Sequence, residues 1–157
     1  MADGDLKAKH LPIEDMELFR LFDEVSDWCW DSVVEWSPHA QRTVGEQLIR
    51  AADSVCANLV EGDGRWGVKD GINFFVIARA SARETKMWLG KAVKRTLVDP
   101  VEGELQINKL TMATRLLNNL VRYRRERGAF SVINEQIAEY AANPFTDPRP
   151  FSAVAGG

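Results

Sequence analysis

Cysteine and histidine are scarce, two of each in 157 residues. Cys29 and Cys56 occupy apolar positions of two separate predicted helices. Their spacing matches no zinc or redox motif, so they read as buried thiols of a reducing compartment. His10 and His39 fall in predicted loops, and the paired Glu-x-x-His ligands of a di-iron bundle are missing. No metal or other cofactor is expected. Long apolar runs are missing too: no window approaches eighteen uninterrupted apolar residues, which excludes a membrane-spanning helix. The start, MADGDLKAKHLP, has no apolar core region or cleavage signature, which makes the cytoplasm the default location. A glycine-rich phosphate loop is also lacking, because GDGRWG (62–67) has no following lysine and no preceding strand. No stretch alternates like a strand, and no internal repeat occurs.

What remains is helical periodicity in a chain long enough for one domain with a real core. The pattern predicts an all-α fold of four helices over 13–128, with helices two and three an antiparallel hairpin. A flexible N-terminus (1–12) precedes it, and a C-terminal extension and tail (129–157) follow, with a short extra helix near 130–142. Helix one is expected over 13–36, with Phe19, Phe22, Val25, Cys29, Val33 and Trp36 as its main apolar stripe. Trp28 and Trp30 lie outside that stripe, wider than one bundle core covers, and are assigned to an oligomer interface. Thr43 and Glu46 form a capping-box pattern ahead of helix two, which Gly62, Asp63 and Gly64 should stop. Helix three is expected over 68–96, with Phe74, Ile77, Ala78, Ser81, Trp88 and Ala92 inward. Helix four is expected over 104–127, capped by Gly128.

Charge is unevenly spread. The net value is −3, yet residues 1–36 hold ten acids and three bases while residues 65–127 hold fourteen bases and six acids. This split either makes a basic face on a nominally acidic protein or places helices of opposite sign side by side.

Residues 45–65 carry the chemistry. Leu48, Ala52, Val55 and Leu59 share one helix face, and Gln47, Arg50, Ser54, Asn58 and Glu61 share another. A turn at 62–67 would place Arg50 opposite Ser81 and within reach of Glu84, with Asn58 facing Asn73 and Phe74. Gln47, Arg50, Ser54, Asn58, Glu61, Asn73, Ser81 and Glu84 thus form a candidate structural polar network, in which an Arg50–Glu84 pair fixes helix register. Glu61 and Glu84 are the only suggestively placed carboxylates. No nucleophile or histidine accompanies them, so no catalytic residue and no enzymatic activity are expected.

Gly45, Gln47, Leu48, Arg50, Ala51, Ala52, Ser54, Asn58, Glu61, Gly62, Arg65, Phe74, Ala78, Ser81 and Glu84 resemble the signature of a four-helix bundle protein family. That family includes proteins encoded in intervening sequences of bacterial large-subunit rRNA genes, and is related to the accessory variability proteins of diversity-generating retroelements. The likeness spans about residues 14–126 and is most specific over 45–84. Where the family usually has Asn-Ile-Ala-Glu-Gly, this chain has Asn58-Leu59-Val60-Glu61-Gly62. The resemblance implies that the four helices form an antiparallel up-down four-helix bundle over 13–128. It also implies a ring, a homopentamer, and in the retroelement branch binding to RNA or DNA and to a reverse transcriptase through a basic surface. The candidate nucleic-acid set is Arg65, Lys69, Arg79, Arg83, Arg122, Arg124 and Arg125. The alternative is a protein-interaction scaffold of the intervening-sequence type, docking through Trp28, Trp30 and the tail, with no nucleic-acid role.

Overall fold

The computed structural model describes residues 11–142 and is all-α over them, with no strand among the described residues. Four long helices make up the fold: α1 (Glu17–Val34), α2 (Glu46–Asp63), α3 (Val68–Lys94) and α4 (Pro100–Ala142). The expectations for residues 1–10 and for the tail at 143–157 lie outside the described residues. No described helix is long and apolar enough to cross a membrane.

α1 packs on α2 and α4, and α3 packs on the same two helices. The cyclic order is therefore α1, α2, α3, α4, with α1 diagonal to α3. The core comes from one stripe of each helix: Leu21, Phe22 and Val25 on α1, Leu48, Val55 and Leu59 on α2, Phe75, Ala78 and Leu89 on α3, and Leu110, Ala113 and Leu117 on α4.

The helix boundaries depart from the sequence pattern in two informative ways. Thr43 does not cap α2. Ser37 and Pro38 start the helical path instead, with Ser37 Oγ accepting from the Ala40 amide. A π-helical turn at Gln41–Gly45 then leads into α2, and the Thr43 hydroxyl donates back to the His39 carbonyl at 2.8 Å. The Gly62-Asp63-Gly64 run does end α2, with Asp63 its last residue and Gly64 its cap. Finally, α4 runs unbroken past Gly128, so residues 130–142 belong to it and do not form a separate short helix. It begins where Asp99 Oδ1 accepts from the amides of Val101 and Glu102, with Pro100 in the first turn.

Burial also shifts some stripes. Leu18 and Leu21 are core residues, while Phe19 and Trp36 are only half-buried. On α3, Ala78, Ser81 and Ala92 are buried as expected, but Phe75 is fully buried where Phe74 is only half-buried, and Ile77 is exposed. The cause is a backbone contact between α2 and α3. A Cβ on Gly71 would lie 2.6 Å from the Gly62 carbonyl oxygen, and one on Gly62 would lie 2.8 Å from both the Gly71 oxygen and the Phe75 ring. The two helices touch there, and Phe75 is the side chain that fills the space beside them. Ala78 and Ala82 continue this slim side of α3.

A second device locks the same end of the bundle. Asp63 Oδ2 accepts from the Ile13 amide at 3.0 Å, and Oδ1 accepts from the Arg124 guanidinium. The pair is mostly buried, with side-chain exposures of 10% and 19%, and the guanidinium also lies 4.8 Å over the Phe75 ring. One carboxylate thus ties the start of the described chain to α2 and α4.

Two outcomes follow. Asp63→Asn removes the charge that Arg124 is buried against, and urea denaturation should report a loss of about 3 kcal/mol. Gly71→Ala forces the α2–α3 contact apart, and the same measurement should report a loss of about 1–3 kcal/mol. Unchanged unfolding midpoints in both variants contradict this account of the bundle end.

Candidate nucleic-acid interface

α3 and α4 present a basic face on the side away from α1 and α2. Arg79, Arg83, Lys86 and Lys94 recur at steps of four, three and eight along α3, which places them on one side of the helix. Arg115 and Arg122 rise from the adjoining side of α4, interleaved with Thr111, Thr114 and Asn118. The cations are held in place without being neutralised. Arg79 Nη1 donates to Asn118 Oδ1 at 3.2 Å, Lys86 Nζ to Thr111 Oγ1 at 3.5 Å, and Arg122 Nη2 to Asn119 Oδ1 at 3.2 Å. Among the described residues none of these six cations makes an ion pair, whereas Arg20, Arg65, Lys109 and Arg124 all do.

The face is grooved. One depression of about 190 Å³ is lined by Arg83, Lys86, Thr111, Thr114 and Arg115, over a floor of Ala82 and Leu110. A second, of about 420 Å³, is lined by Lys86, Met87, Gly90, Lys91, Lys94 and Arg95. Lys86 borders both, so they form one basic trough along α3. Gly90 sits within it, and a Cβ added there would meet nothing within 4 Å. A mid-helix glycine costs about 1 kcal/mol relative to alanine, and no neighbour inside this chain requires it.

The candidate cations divide accordingly. Arg79, Arg83 and Arg122 belong to this face, and Arg125 and Lys69 are exposed. Arg124 does not belong to it, because its guanidinium is committed to Asp63 within the bundle. Arg65 is paired with Glu61 and lies 3.6 Å from Asp70, with its guanidinium 4.6 Å over Phe74, so its charge is largely spent at the α2–α3 turn. The candidate set omitted Lys86, Lys94, Arg115 and Gly90. Steps of three and four from Arg83 would have found the two lysines, but only the packing of α4 on α3 brings Arg115 beside them.

The polar stripe of α2 lies elsewhere, along the outer α2/α3 face. Ser54 and Ser81 share a hydrogen bond of 3.0 Å, and Asn58 Nδ2 donates to the Ser54 carbonyl at 2.7 Å and to Ser54 Oγ at 3.1 Å. Thr85 Oγ1 donates to the Ser81 carbonyl at 2.8 Å. The Arg50–Glu84 pair is not formed among the described residues: Arg50 donates to Gln47 at 2.7 Å, and Glu84 accepts from Trp88 Nε1 at 3.3 Å. The Ser54–Ser81 hydrogen bond puts Arg50 at the level of Thr85, and Arg50 and Glu84 both point outward, exposed. Asn73 and Glu61 are likewise exposed. Trp28 and Trp30 do not make one surface. Two positions along a helix are about 200° apart, so Trp28 leans against the core while Trp30 is 58% exposed.

The opposite face, between α1 and α2, is acidic. Asp23, Asp27 and Asp53 surround Cys56, and Ser26 Oγ donates to Asp53. Burial, reinforced by these carboxylates, pushes the Cys56 thiol up to about 12, and burial followed by the charge of Asp53 does the same to Cys29. No group of three His, Cys, Asp or Glu among the described residues is placed to hold a metal ion. Both thiols are expected to react with iodoacetamide much more slowly in the native protein than in urea at pH 8. The folded state keeps protons that the unfolded state releases, so these thiols add stability below about pH 9 that is lost as the pH rises toward about 12. Denaturation midpoints for the protein and a Cys29→Ala/Cys56→Ala variant should diverge over that window, and parallel curves contradict the assignment.

The model of the 23S rRNA-intervening sequence protein family matches residues 14–119. Among solved structures, the chain is similar to a protein of unknown function from the S23 ribosomal protein family of Bacteroides thetaiotaomicron VPI-5482. That likeness has a TM-score of 0.59 at 20% identity and covers 66% of this chain and 97% of the other. At that identity the likeness speaks for the fold alone. No curated protein matches the chain. With more than half of its length matched by one family model, the chain belongs to the 23S rRNA-intervening sequence protein family.

Proposed function

We propose that the protein is a non-enzymatic accessory factor of the cytoplasm that binds RNA through the α3/α4 face and assembles into a ring. The observation that carries this reading is the trough lined by Arg83, Lys86, Lys91, Lys94, Arg95 and Arg115, none of which makes an ion pair among the described residues, floored by Ala82 and Leu110 and edged by the hydroxyls of Thr111 and Thr114. Phosphate oxygens are acceptors that such donors fit, and displaced counterions supply the driving force. Gly90 suits this role, since a bare backbone lets a phosphate chain approach the helix closely. The resemblance adds the remaining parts of the proposal: an antiparallel up-down path, a homopentamer, and a reverse transcriptase as protein partner. The pairing of Ser54 with Ser81 and of Gly62 with Gly71 supports the antiparallel path for α2 and α3, because partner numbers rise on one helix as they fall on the other. A protein-docking scaffold is the second reading. It is favoured by Trp30 and Val34, 58% and 47% exposed on the acidic side.

Fluorescence anisotropy with a labelled structured RNA tests the first reading. Six phosphate contacts give a log–log salt slope of roughly −4 to −5. Arg83→Glu with Lys86→Glu should weaken binding by at least an order of magnitude and flatten that slope. Gly90→Ala separates function from stability: it should raise the unfolding free energy by about 1 kcal/mol while weakening RNA binding. Undetectable or salt-independent binding overturns the proposal.

A further inference from the structure

The basic face does not end at its trough. Lys69, Val76, Arg83 and Gly90 recur at steps of seven, which carries one line of α3 from the trough back to the first turn of the helix. On α4, Thr111, Arg115, Asn118, Arg122 and Arg125 recur at steps of four, three, four and three, and so share one stripe. The Arg79–Asn118 and Lys86–Thr111 contacts set that stripe against α3 and bring Arg125 to the level of Ile72, one turn from Lys69. Lys94 and Lys69 thus mark the two ends of a cationic track roughly 38 Å long.

Directly before the Lys69 end stands Trp66, in the turn between α2 and α3. It is 104% exposed, more than any other large apolar side chain among the described residues. Gly64 and Gly67 bracket Arg65 and Trp66 at φ of −76° and −89°, and a Cβ on either would make only ordinary contacts, at 3.5 Å and 3.8 Å. Neither crowding nor backbone conformation requires these glycines. With bare neighbours, the indole stands open to solvent on both faces. Its surroundings are charged rather than apolar. Arg65 engages Glu61 and Asp70, and Arg124 engages Asp63, whereas Lys69 and Arg125 make no ion pair among the described residues. Glu126 is exposed one residue beyond Arg125 and is therefore offset from its stripe. Val68 lies beside Gly128 on α4, and Val60 repeats at seven from Asp53 on the acidic side of α2. No apolar ring surrounds Trp66 of the kind that seats a tryptophan anchor in a protein interface.

We infer that Trp66 stacks on an unpaired nucleobase of the RNA whose phosphates follow the α3/α4 face. This inference rests on the RNA-binding reading and names the form of RNA that the face takes. No aromatic side chain lines the trough, so its donors reach phosphate and sugar and leave the bases unread. An indole open on both faces is the complementary device, because every base has a π-face and stacking on tryptophan tolerates any sequence. A base inside a duplex already stacks on its neighbours. The base that fits is one in an overhang, loop or bulge, where it can be splayed out onto an aromatic side chain. The ligand class is therefore structured RNA in which an unpaired base adjoins the backbone held by Lys69 and Arg125.

Fluorescence anisotropy with three labelled RNAs tests this: a blunt duplex, the same duplex with short unpaired overhangs, and that duplex with the overhang bases removed to leave abasic sugars. The unmodified protein should bind the overhang RNA about ten-fold more tightly than either of the others. Trp66→Ala should bind all three alike, and Trp66→Phe, which keeps a ring, should retain most of the preference. The side chain is fully exposed, so both variants should keep the thermal midpoint of the unmodified protein. An unmodified protein that binds the three RNAs alike, or a preference that survives Trp66→Ala, overturns the inference and leaves the RNA-binding reading standing. Undetectable or salt-independent binding of all three overturns both, and leaves a protein partner as the cover of Trp66.

Discussion

The contact between Gly62 and Gly71 is the constraint on which the rest of this bundle depends. Two helix backbones meet there with no room for a methyl group, so α2 and α3 cannot slide or rotate past one another without losing it. That single point determines which side of α3 is buried. Phe75 turns inward beside the contact, Ile77 turns out, and Ser81 comes level with Ser54. Asp63, next in sequence to Gly62, then fastens the same end to Ile13 and Arg124. Apolar stripes of leucine and valine supply most of the burial, but they are tolerant of small shifts. The glycine pair and the carboxylate turn one of many acceptable packings into one register.

With the register set, the surface sorts itself into four faces of different chemistry. The α3/α4 side is cationic and grooved, the α1/α2 side acidic, and the two remaining sides are apolar with polar borders. In sequence the acids of α1 and the bases of α3 and α4 could equally have neutralised each other across the bundle. They do so at few points, chiefly where Lys109 meets Glu24 at 3.0 Å. The diagonal placement of α1 and α3 explains this: most of the α3 cations have no acidic helix within reach. The charge asymmetry of the chain thereby becomes a charge asymmetry of its surface, which is the form in which it can act on a polyanion.

Much of this was legible from residue spacing. The helices, the approximate lengths of α1, α2 and α3, the core positions of α2 and the family relationship all follow from periodicity and from the residues between Gly45 and Glu84. The misreadings share one physical origin. Gly128 and Thr43 are residues whose local preference is to stop or start helices, and Gly62 belongs to a run that does stop one but has a further role. Here Gly62 meets another helix backbone, and Gly128 lies against Val68 inside a continuous helix. Thr43 sits in a π-helical turn, and Ser37 does the capping it was expected to do. Arg124 looked like one more cation of the candidate nucleic-acid set, and only a partner far away in sequence made it structural.

The sequence by itself determined the helical class, the separation of acidic and basic segments, and the polar stripe of α2, because each depends on spacing within one helix. Tertiary structure alone decided how those stripes combine. Whether a cation is free or spent, whether a tryptophan is core or surface, and whether Arg50 meets Glu84 or faces outward depend on the rotation of one helix against another. A shift of one residue along a helix turns a side chain by about 100°. That is enough to move it from the core to solvent, and periodicity within a single helix cannot resolve so small a difference when the fixing contact is made by a residue on the next one.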